Sequence, residues 1–226
     1  KMPTEGRTVY TDAVFGEIAT DNAELQDQIL MKADGYPTYN FAHVVDDYLM
    51  GVTHVVRGSE YLPSTPKYNL LYAAFGWQPP EYVHLPLIMG RDAEGNVSKL
   101  SKRHGSVSFE NLVEEGFLPE AIINYIALLG WSSKTDREIF SLAELAELFS
   151  VEGLNKAAAI FDYDKLRWMN SEYIKQMNFD EFKAKAAKFA PAEYEKMQNV
   201  WDKVAALLQS RLENFTDIPG MVGFLI

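Results

Sequence analysis

The stretch from Thr53 to Met89 reads THVVRGSEYLPSTPKYNLLYAAFGWQPPEYVHLPLIM, and it decides the fold class of this 226-residue chain. Residues 53–56 are an apolar run that predicts a buried strand, and residues 82–89 predict another strand. Between them, residues 64–76 have a helical pattern, with a serine as candidate N-cap, a proline in the first turn and a glycine at the end. The order strand, helix, strand predicts a right-handed parallel crossover, the repeating unit of a doubly wound sheet.

Sites on doubly wound sheets lie beyond the carboxyl ends of the strands. Arg57 directly follows the first predicted strand, and Gly58 lets the chain turn away without covering the guanidinium. A basic loop follows the next strand. We therefore expect Arg57 and this loop to reach the same crevice.

The basic loop, Asn96 to Gly105, reads NVSKLSKRHG and concentrates positive charge in an acidic protein. Three cations and two hydroxyls lie within six residues, and flanking glycines allow the backbone to curl so that the side chains converge on one anion. Lysine supplies a mobile charge that can follow a pyrophosphate during displacement at an α-phosphate. The loop is a candidate phosphate site, and the alternative is a solvated basic loop.

Outside these stretches the pattern changes along the chain. Residues 7–32 contain apolar islands between turn formers, which predict short strands. Residues 39–50 predict a helix that ends at Gly51, with Tyr39 and His43 on one face. From Phe109 onward the period is helical, and we expect helices over residues 109–115, 119–129, 141–149, 156–161, 164–169, 180–190 and 192–212. The second half therefore predicts a helical bundle.

Two of these helices have apolar faces that predict their buried sides. Phe41, Val44, Val45, Tyr48 and Leu49 form one stripe, and Ile122, Ile123, Tyr125, Ile126 and Leu129 form the other.

The composition limits the class of function. The net charge of −11 argues against a chain that coats nucleic acid non-specifically, although one local basic surface can still bind RNA. The absence of cysteine excludes disulfides and thiolate zinc sites, and the four scattered histidines predict no metal cluster. No apolar run reaches membrane-spanning length and no secretion signal is present, so we expect a cytoplasmic protein without a membrane partner.

Several motifs together resemble the glutamyl-tRNA synthetases, a family of class I aminoacyl-tRNA synthetases. Lys99 to Arg103, KLSKR, is similar to the second signature of that class. The other matching motifs are Asp34 to Tyr39 (DGYPTY), Val44 to Gly51 (VVDDYLMG), Ser64 to Lys67 (STPK), Leu118 to Ala121 (LPEA) and Leu128 to Ser132 (LLGWS). They occur in the expected order, and the resemblance spans roughly Val9 to Ile174.

The resemblance implies an α/β plus all-α fold divided into four parts. Residues 1–33 would be the end of an acceptor-binding insertion made of short strands. Residues 34–105 would be the second half of a Rossmann-like nucleotide-binding fold that carries the KLSKR loop. Residues 106–175 would be a helical stem-contact region, and residues 176–226 the start of a helical anticodon-binding domain. The helices after Pro119 are typical of bacterial members.

The resemblance also implies roles for individual residues. Lys99 and Lys102 fall in the ATP-phosphate loop as catalytic candidates, with Lys102 as the more direct phosphate contact. Tyr39, His43 and Arg57 fall where the family binds glutamate, and a guanidinium fork suits a carboxylate. His43 stands where many members have asparagine, which makes the charge state there uncertain. The positions that match the ATP pocket are Glu60, its neighbour Tyr61, Leu87, Ile88, Lys99, Ser101 and Lys102.

Each assignment has a structural alternative. Arg57 would otherwise form an ion pair with Glu60 or Asp47. Tyr39 would pack at a helix start. Glu60, Leu87 and Ile88 would be ordinary residues at strand ends.

The sequence lacks the first signature of the family, His-x-Gly-His. We therefore expect an internal fragment of a longer enzyme, inactive by itself, whose parent is monomeric, uses ATP with Mg²⁺ and glutamylates tRNA(Glu). A non-catalytic tRNA- or nucleotide-binding module is the alternative that this absence favours. A third possibility, an enzyme that glutamylates a tRNA base, is disfavoured because such relatives lack the long helical tail.

Overall fold

The computed structural model describes residues 1–92, 94–101, 107–196 and 198–223. The chain divides into two compact units. The first unit comprises Lys1–Leu87 with Ser150–Ala158, and the second comprises Ile88–Phe149 with Ala159–Ile226.

The first unit contains a four-stranded sheet in the order β2-β1-β4-β3. An antiparallel hairpin, β1 (Arg7–Asp12) and β2 (Gly16–Asp21), forms one side. Next to β1 lies β4 (Glu81–Leu85), which runs parallel both to β1 and to β3 (His54–Gly58). The parallel pairing of β3 and β4, with one α-helix between them in sequence, confirms the predicted strand, helix, strand unit and its parallel strands.

The first strand of the crossover is not buried as predicted. β3 lies at the edge of the sheet, and the Val56 side chain is 59% exposed. An edge strand has a neighbour on one side only, so an apolar sequence does not guarantee burial there.

Two helices complete the first unit. α1 (Tyr39–Leu49) and α2 (Thr65–Phe75) begin and end within two residues of the predicted positions, and Gly76 ends α2 in the left-handed conformation that favours glycine. Their common core consists of Val44, Tyr68, Leu71 and Tyr72. The predicted stripe on α1 is only partly correct, because Tyr48 and Leu49 are exposed.

The second unit begins with a small sheet that the sequence pattern did not separate from the first. Residues 82–89 were expected to form one strand, but β4 ends at Leu85 and β5 (Ile88–Arg91) belongs to another sheet. β5 pairs with β6 (Val97–Lys99) and with β7 (Ala159–Ile160). The helix predicted over residues 156–161 is therefore wrong. Pairing with β5 holds this segment extended.

The rest of the second unit is helical, which confirms the α/β plus all-α class. Its helices are α3 (Phe109–Glu114), α4 (Pro119–Gly130), α5 (Leu142–Leu148), α6 (Tyr163–Gln176), α7 (Phe179–Ala186), α8 (Gln198–Gln209) and α9 (Ile218–Val222). Ser141 begins α5 with a capping box, as its side chain accepts from the Glu144 backbone while the Glu144 carboxylate accepts from the Ser141 backbone.

Two clusters of buried side chains hold these helices together. One contains Leu112, Phe117, Ile122, Tyr125, Leu166 and Met169 from α3, α4, α6 and the connection between α3 and α4. The other extends from Leu118 and Ala121 through Phe182 to Trp201 and Ile218. On α4, Ile122 and Tyr125 are buried as predicted, whereas Ile123 and Ile126 are 39% and 45% exposed.

Candidate functional site

Three polar side chains meet at the carboxyl ends of the three parallel strands in the first unit. Asp12 is the last residue of β1, Arg57 lies near the end of β3, and His84 lies near the end of β4. Arg57 and His84 are direct partners in the β3–β4 register. Because the three strands run parallel, their ends share one edge of the sheet, where ligands bind in open α/β sheets.

Arg57 is held by two hydrogen bonds and a group of aromatic rings. Its Nε atom donates to His84 Nε2 over 3.1 Å, and its Nη2 atom donates to Thr65 Oγ1 over 2.7 Å. The guanidinium carbon lies 5.0 Å from the Tyr61 and Tyr68 ring centres and 5.5 Å from that of Tyr82. The rings stabilise the positive charge through cation–π attraction. Among the described residues, the Nη1 donors have no hydrogen-bond partner.

The predicted alternative for Arg57 was an ion pair with Glu60 or Asp47. Among the described residues, the guanidinium forms no ion pair with either carboxylate. Asp47 instead faces His43.

His84 connects Arg57 to a buried carboxylate. The His84 and Asp12 side chains are fully buried, and Asp12 Oδ2 lies 2.6 Å from His84 Nδ1. Burial lowers the pKa of His84, the hydrogen bond to Asp12 partly opposes this, and the nearby Arg57 charge lowers the pKa further. The imidazole is therefore neutral near pH 7.

Tyr39 and His43 lie together at the start of α1, as the sequence predicted. Their ring centres are 5.0 Å apart, and the Tyr39 ring lies 6.0 Å from that of Tyr61, which in turn covers Arg57. Tyr39 is 57% exposed, so it is not a packed core residue. Partial burial raises the pKa of Tyr39 above its ordinary value of 10.0, so its hydroxyl is protonated at neutral pH.

His43 occupies a more buried position. Its Nδ1 atom lies 3.4 Å from Asp47 Oδ2, and its Nε2 atom is buried with no hydrogen-bond partner among the described residues. Burial lowers the pKa of His43, while Asp47 acts in the opposite direction. A neutral ring with one unused nitrogen can donate or accept one hydrogen bond.

Three of the residues that match the ATP pocket, Glu60, Leu87 and Ile88, follow β3 or lie at the start of β5. Glu60 lies in a 3₁₀ turn after β3, and a Cβ atom at position 58 would collide with its carboxylate, so Gly58 provides space there. Gly58 has an ordinary φ of −66°, so the predicted conformational role of this glycine is not needed. Leu87 precedes β5, and the Ile88 carbonyl accepts a hydrogen bond from Leu100 N over 2.9 Å.

Within the second unit, Lys99 ends β6 opposite Met89, and Ser101 follows two residues later; both are exposed. Lys102, the preferred phosphate contact, lies outside the described residues, as do Arg103 and His104.

Sequence reasoning missed Asp12, Thr65 and His84 as parts of this site. Asp12 is far from the matched motifs in sequence, and the pattern of residues 82–89 identifies His84 only as part of a strand. The sequence offered one signal for them: predicted strands whose carboxyl ends would share one edge of a parallel sheet each contain an ionisable residue. That pattern would have predicted a polar cluster at this edge. Across residues 1–92, 94–101, 107–196 and 198–223, no group of His, Cys, Asp or Glu side chains has the arrangement of a metal site. The helices within those same ranges include none long and apolar enough to cross a membrane.

Comparison with known families defines the class of protein. Residues 1–168 match the family described as tRNA synthetases class I (E and Q), catalytic domain. The chain therefore belongs to the class I tRNA synthetase family for glutamate and glutamine.

The relatives narrow this class. The chain is 53% identical over 222 residues to a glutamate–tRNA ligase of Clostridium acetobutylicum, covering 98% of this chain and 45% of that protein. It is 51% identical over 232 residues to the glutamate–tRNA ligase of Clostridium novyi, covering 100% of this chain and 46% of that protein. The chain thus spans about half the length of the curated relatives it matches.

Two solved structures have the same fold. One is a glutamate–tRNA ligase from Elizabethkingia meningosepticum in complex with its amino acid, with a TM-score of 0.86 and 33% identity, matched over 99% of this chain and 48% of that chain. The other is the glutamate–tRNA synthetase from Elizabethkingia anophelis, with a TM-score of 0.87, 33% identity and the same coverage.

Proposed function

We propose that the chain is part of a longer glutamate–tRNA ligase. In this proposal the full-length protein condenses glutamate with ATP to glutamyl-adenylate and pyrophosphate, and then transfers the glutamyl group to the terminal ribose of tRNA(Glu). The enzyme acts in the cytoplasm as a monomer. The four-part division into residues 1–33, 34–105, 106–175 and 176–226 belongs to the same proposal.

The observation that carries the proposal is the guanidinium of Arg57. It lies at the carboxyl ends of the parallel strands, where open α/β sheets bind ligands, its two hydrogen bonds to His84 and Thr65 fix its orientation, and its Nη1 donors have no partner among the described residues. Such an arginine can bind a carboxylate through two parallel hydrogen bonds. In the proposal Tyr39 and His43 contact the same glutamate, and His43 forms a hydrogen bond to it through its Nε2 atom, which has no partner among the described residues.

The phosphate chemistry is assigned to the basic loop. Lys102 stabilises the charge that develops at the α-phosphate and pyrophosphate, and Lys99 and Ser101 support the same phosphates. Glu60, Leu87 and Ile88 contact the adenosine. The Mg²⁺ ion is expected to arrive with the ATP phosphates, because the described residues form no carboxylate cluster that would hold it.

Glutamate-dependent exchange of labelled pyrophosphate into ATP tests this function in the full-length protein. The proposal expects exchange with glutamate, much less with glutamine, and a further loss in Arg57→Lys and Lys102→Ala. Folded full-length protein that binds tRNA or nucleotide but shows no exchange would instead support the non-catalytic module.

A further inference from the structure

We propose that His84, with its tautomer fixed by Asp12, is a positioning residue that sets the orientation of the Arg57 guanidinium. This inference deepens the proposed function and rests on it, because the orientation of Arg57 matters only if Arg57 binds the substrate carboxylate.

The first step of the inference is that Asp12 is itself fixed. Its Oδ1 atom accepts hydrogen bonds from the backbone N–H groups of Val14 over 3.0 Å and Phe15 over 2.8 Å. Its Oδ2 atom accepts from His84 N over 3.2 Å and faces His84 Nδ1 at 2.6 Å. Asp12 therefore cannot rotate without losing these hydrogen bonds.

The second step is that this carboxylate selects one tautomer of His84. The Asp12 oxygens already accept from three backbone N–H groups, so in the contact with Oδ2 the Nδ1 atom of His84 is the donor and carries the proton. In the neutral ring, Nε2 then has a lone pair, and this lone pair accepts from Arg57 Nε. The other tautomer, or the protonated ring, would place an N–H of His84 against the N–H of Arg57.

The third step is that only hydrogen bonds fix the direction of the guanidinium. The rings of Tyr61, Tyr68 and Tyr82 stabilise its charge, but cation–π attraction tolerates many orientations. The bonds to His84 and Thr65 occupy the Nε side of the fork. They leave both Nη1 donors and the second Nη2 donor for a carboxylate.

Two substitutions of His84 separate its two hydrogen bonds. The amide of His84→Asn reaches the position of Nδ1, so it can keep the bond to Asp12 but offers no acceptor to Arg57. The amide of His84→Gln reaches the position of Nε2, so its oxygen can still accept from Arg57. In the full-length protein we expect His84→Asn to raise the glutamate KM about tenfold, the effect of one hydrogen bond to a charged group. We expect His84→Gln to recover most of this loss, and the ATP KM to stay within about twofold of the parent value.

His54→Asn is the matched control. His54 also contacts an acid across the β3–β4 pair, with Nε2 3.0 Å from Glu81 Oε2, but both side chains are more than half exposed. We expect this variant to keep the parent glutamate and ATP KM values. Narrowed preference for glutamate over glutamine in His84→Asn alone would support the positioning role, because lost stability by itself would not change selectivity.

A measurement on the unsubstituted protein avoids any folding defect of the variants. The ¹⁵N chemical shifts of the His84 ring should show a neutral imidazole with the proton on Nδ1 at pH 7.

Two results would overturn the inference directly: a proton on Nε2 of His84, or an unchanged glutamate KM in folded His84→Asn. Equal rises in glutamate and ATP KM would also overturn it. If Arg57→Lys leaves the glutamate KM unchanged, the proposed glutamate pocket itself fails. If Arg57→Lys raises the glutamate KM but His84→Asn leaves it unchanged, the pocket stands and the positioning role fails.

Discussion

Arg57 donates a hydrogen bond from Nε to the Nε2 atom of His84, and this contact joins two strands whose residues are direct register partners. The Arg57 guanidinium can approach the His84 ring to 3.1 Å because the ring is neutral, so its Nε2 atom accepts a hydrogen bond and does not repel the cation. The buried Asp12 and the nearby guanidinium act oppositely on the His84 pKa, and burial decides the outcome. The sheet edge therefore carries one oriented positive group.

Arg57→Lys is expected to raise the glutamate KM of the full-length protein about tenfold to a hundredfold, because lysine keeps the charge but loses the fork. The preference for glutamate over glutamine should narrow, since a neutral amide directs donors at a cation that cannot accept them. Steady-state pyrophosphate exchange with both amino acids measures this. Arg7→Lys, in an exposed ion pair with Asp21, is the control and should behave as the parent. An unchanged preference for glutamate over glutamine in Arg57→Lys would indicate that Arg57 has only a structural role.

Lys102→Ala is expected to slow glutamate activation with little effect on glutamate binding, because the charge acts on the transition state. The loss should be about 2.7–4 kcal/mol, by analogy with removal of one preorganised donor from an oxyanion hole. Single-turnover adenylate formation gives this rate. Lys183→Ala, which removes a half-buried lysine paired with Asp202, is the control. Equal rates in Lys102→Ala and the parent would support a solvated basic loop.

The stability of the chain should fall as the pH is lowered below about 6.5. His84 and His43 have lowered pKa values in the folded protein, mainly because of burial, so the unfolded chain binds protons first. Their stabilising contribution is fully present above their ordinary pKa of 6.5 and is lost as the pH falls through the folded pKa values.

Urea titrations between pH 7.5 and 5.5 test this pH dependence. Each group can contribute a slope of at most about 1.4 kcal/mol per pH unit to the free energy of unfolding. His84→Gln and His43→Gln should each flatten the slope, whatever their effect on absolute stability. A parental slope in both variants would show that neither ring titrates as described.

Leu166→Ala should destabilise the helical unit by about 2–5 kcal/mol, because the Leu166 side chain is fully buried between α4 and α6. Leu207→Ala makes the same chemical change on α8 at a position that is 66% exposed, and should change stability by less than about 0.5 kcal/mol. Chemical denaturation followed by circular dichroism compares the two variants. Similar losses in both would contradict the assignment of the core.

The 226-residue chain alone is expected to form no glutamyl-adenylate. Its sequence has no His-x-Gly-His signature, and it covers 45% of the Clostridium acetobutylicum relative. Pyrophosphate exchange by the purified chain is the measurement, with Lys102→Ala in the same chain as the background. Exchange above that background would contradict the expectation that the ATP site is incomplete.

The sequence by itself determined the features that depend on local chemistry. Gly76 ends α2 because glycine favours the left-handed conformation found there, and the Ser141 capping box begins α5 because serine favours the N-cap position. The spacing of Tyr39 and His43 placed their rings on one helical face. The KLSKR motif and its companions identified the family, because their order and spacing are specific.

Only the tertiary structure decided which apolar and polar residues are buried. Val56 and Ile126 are exposed despite apolar patterns, because burial depends on the neighbours that a strand or helix receives. Residues 159–160 form a strand because β5 offers a pairing edge, a contact over some seventy positions that no local pattern encodes. Asp12 and His84 are likewise separated by 72 positions in sequence. Their hydrogen bond exists because parallel strands bring their carboxyl ends to one edge of the sheet.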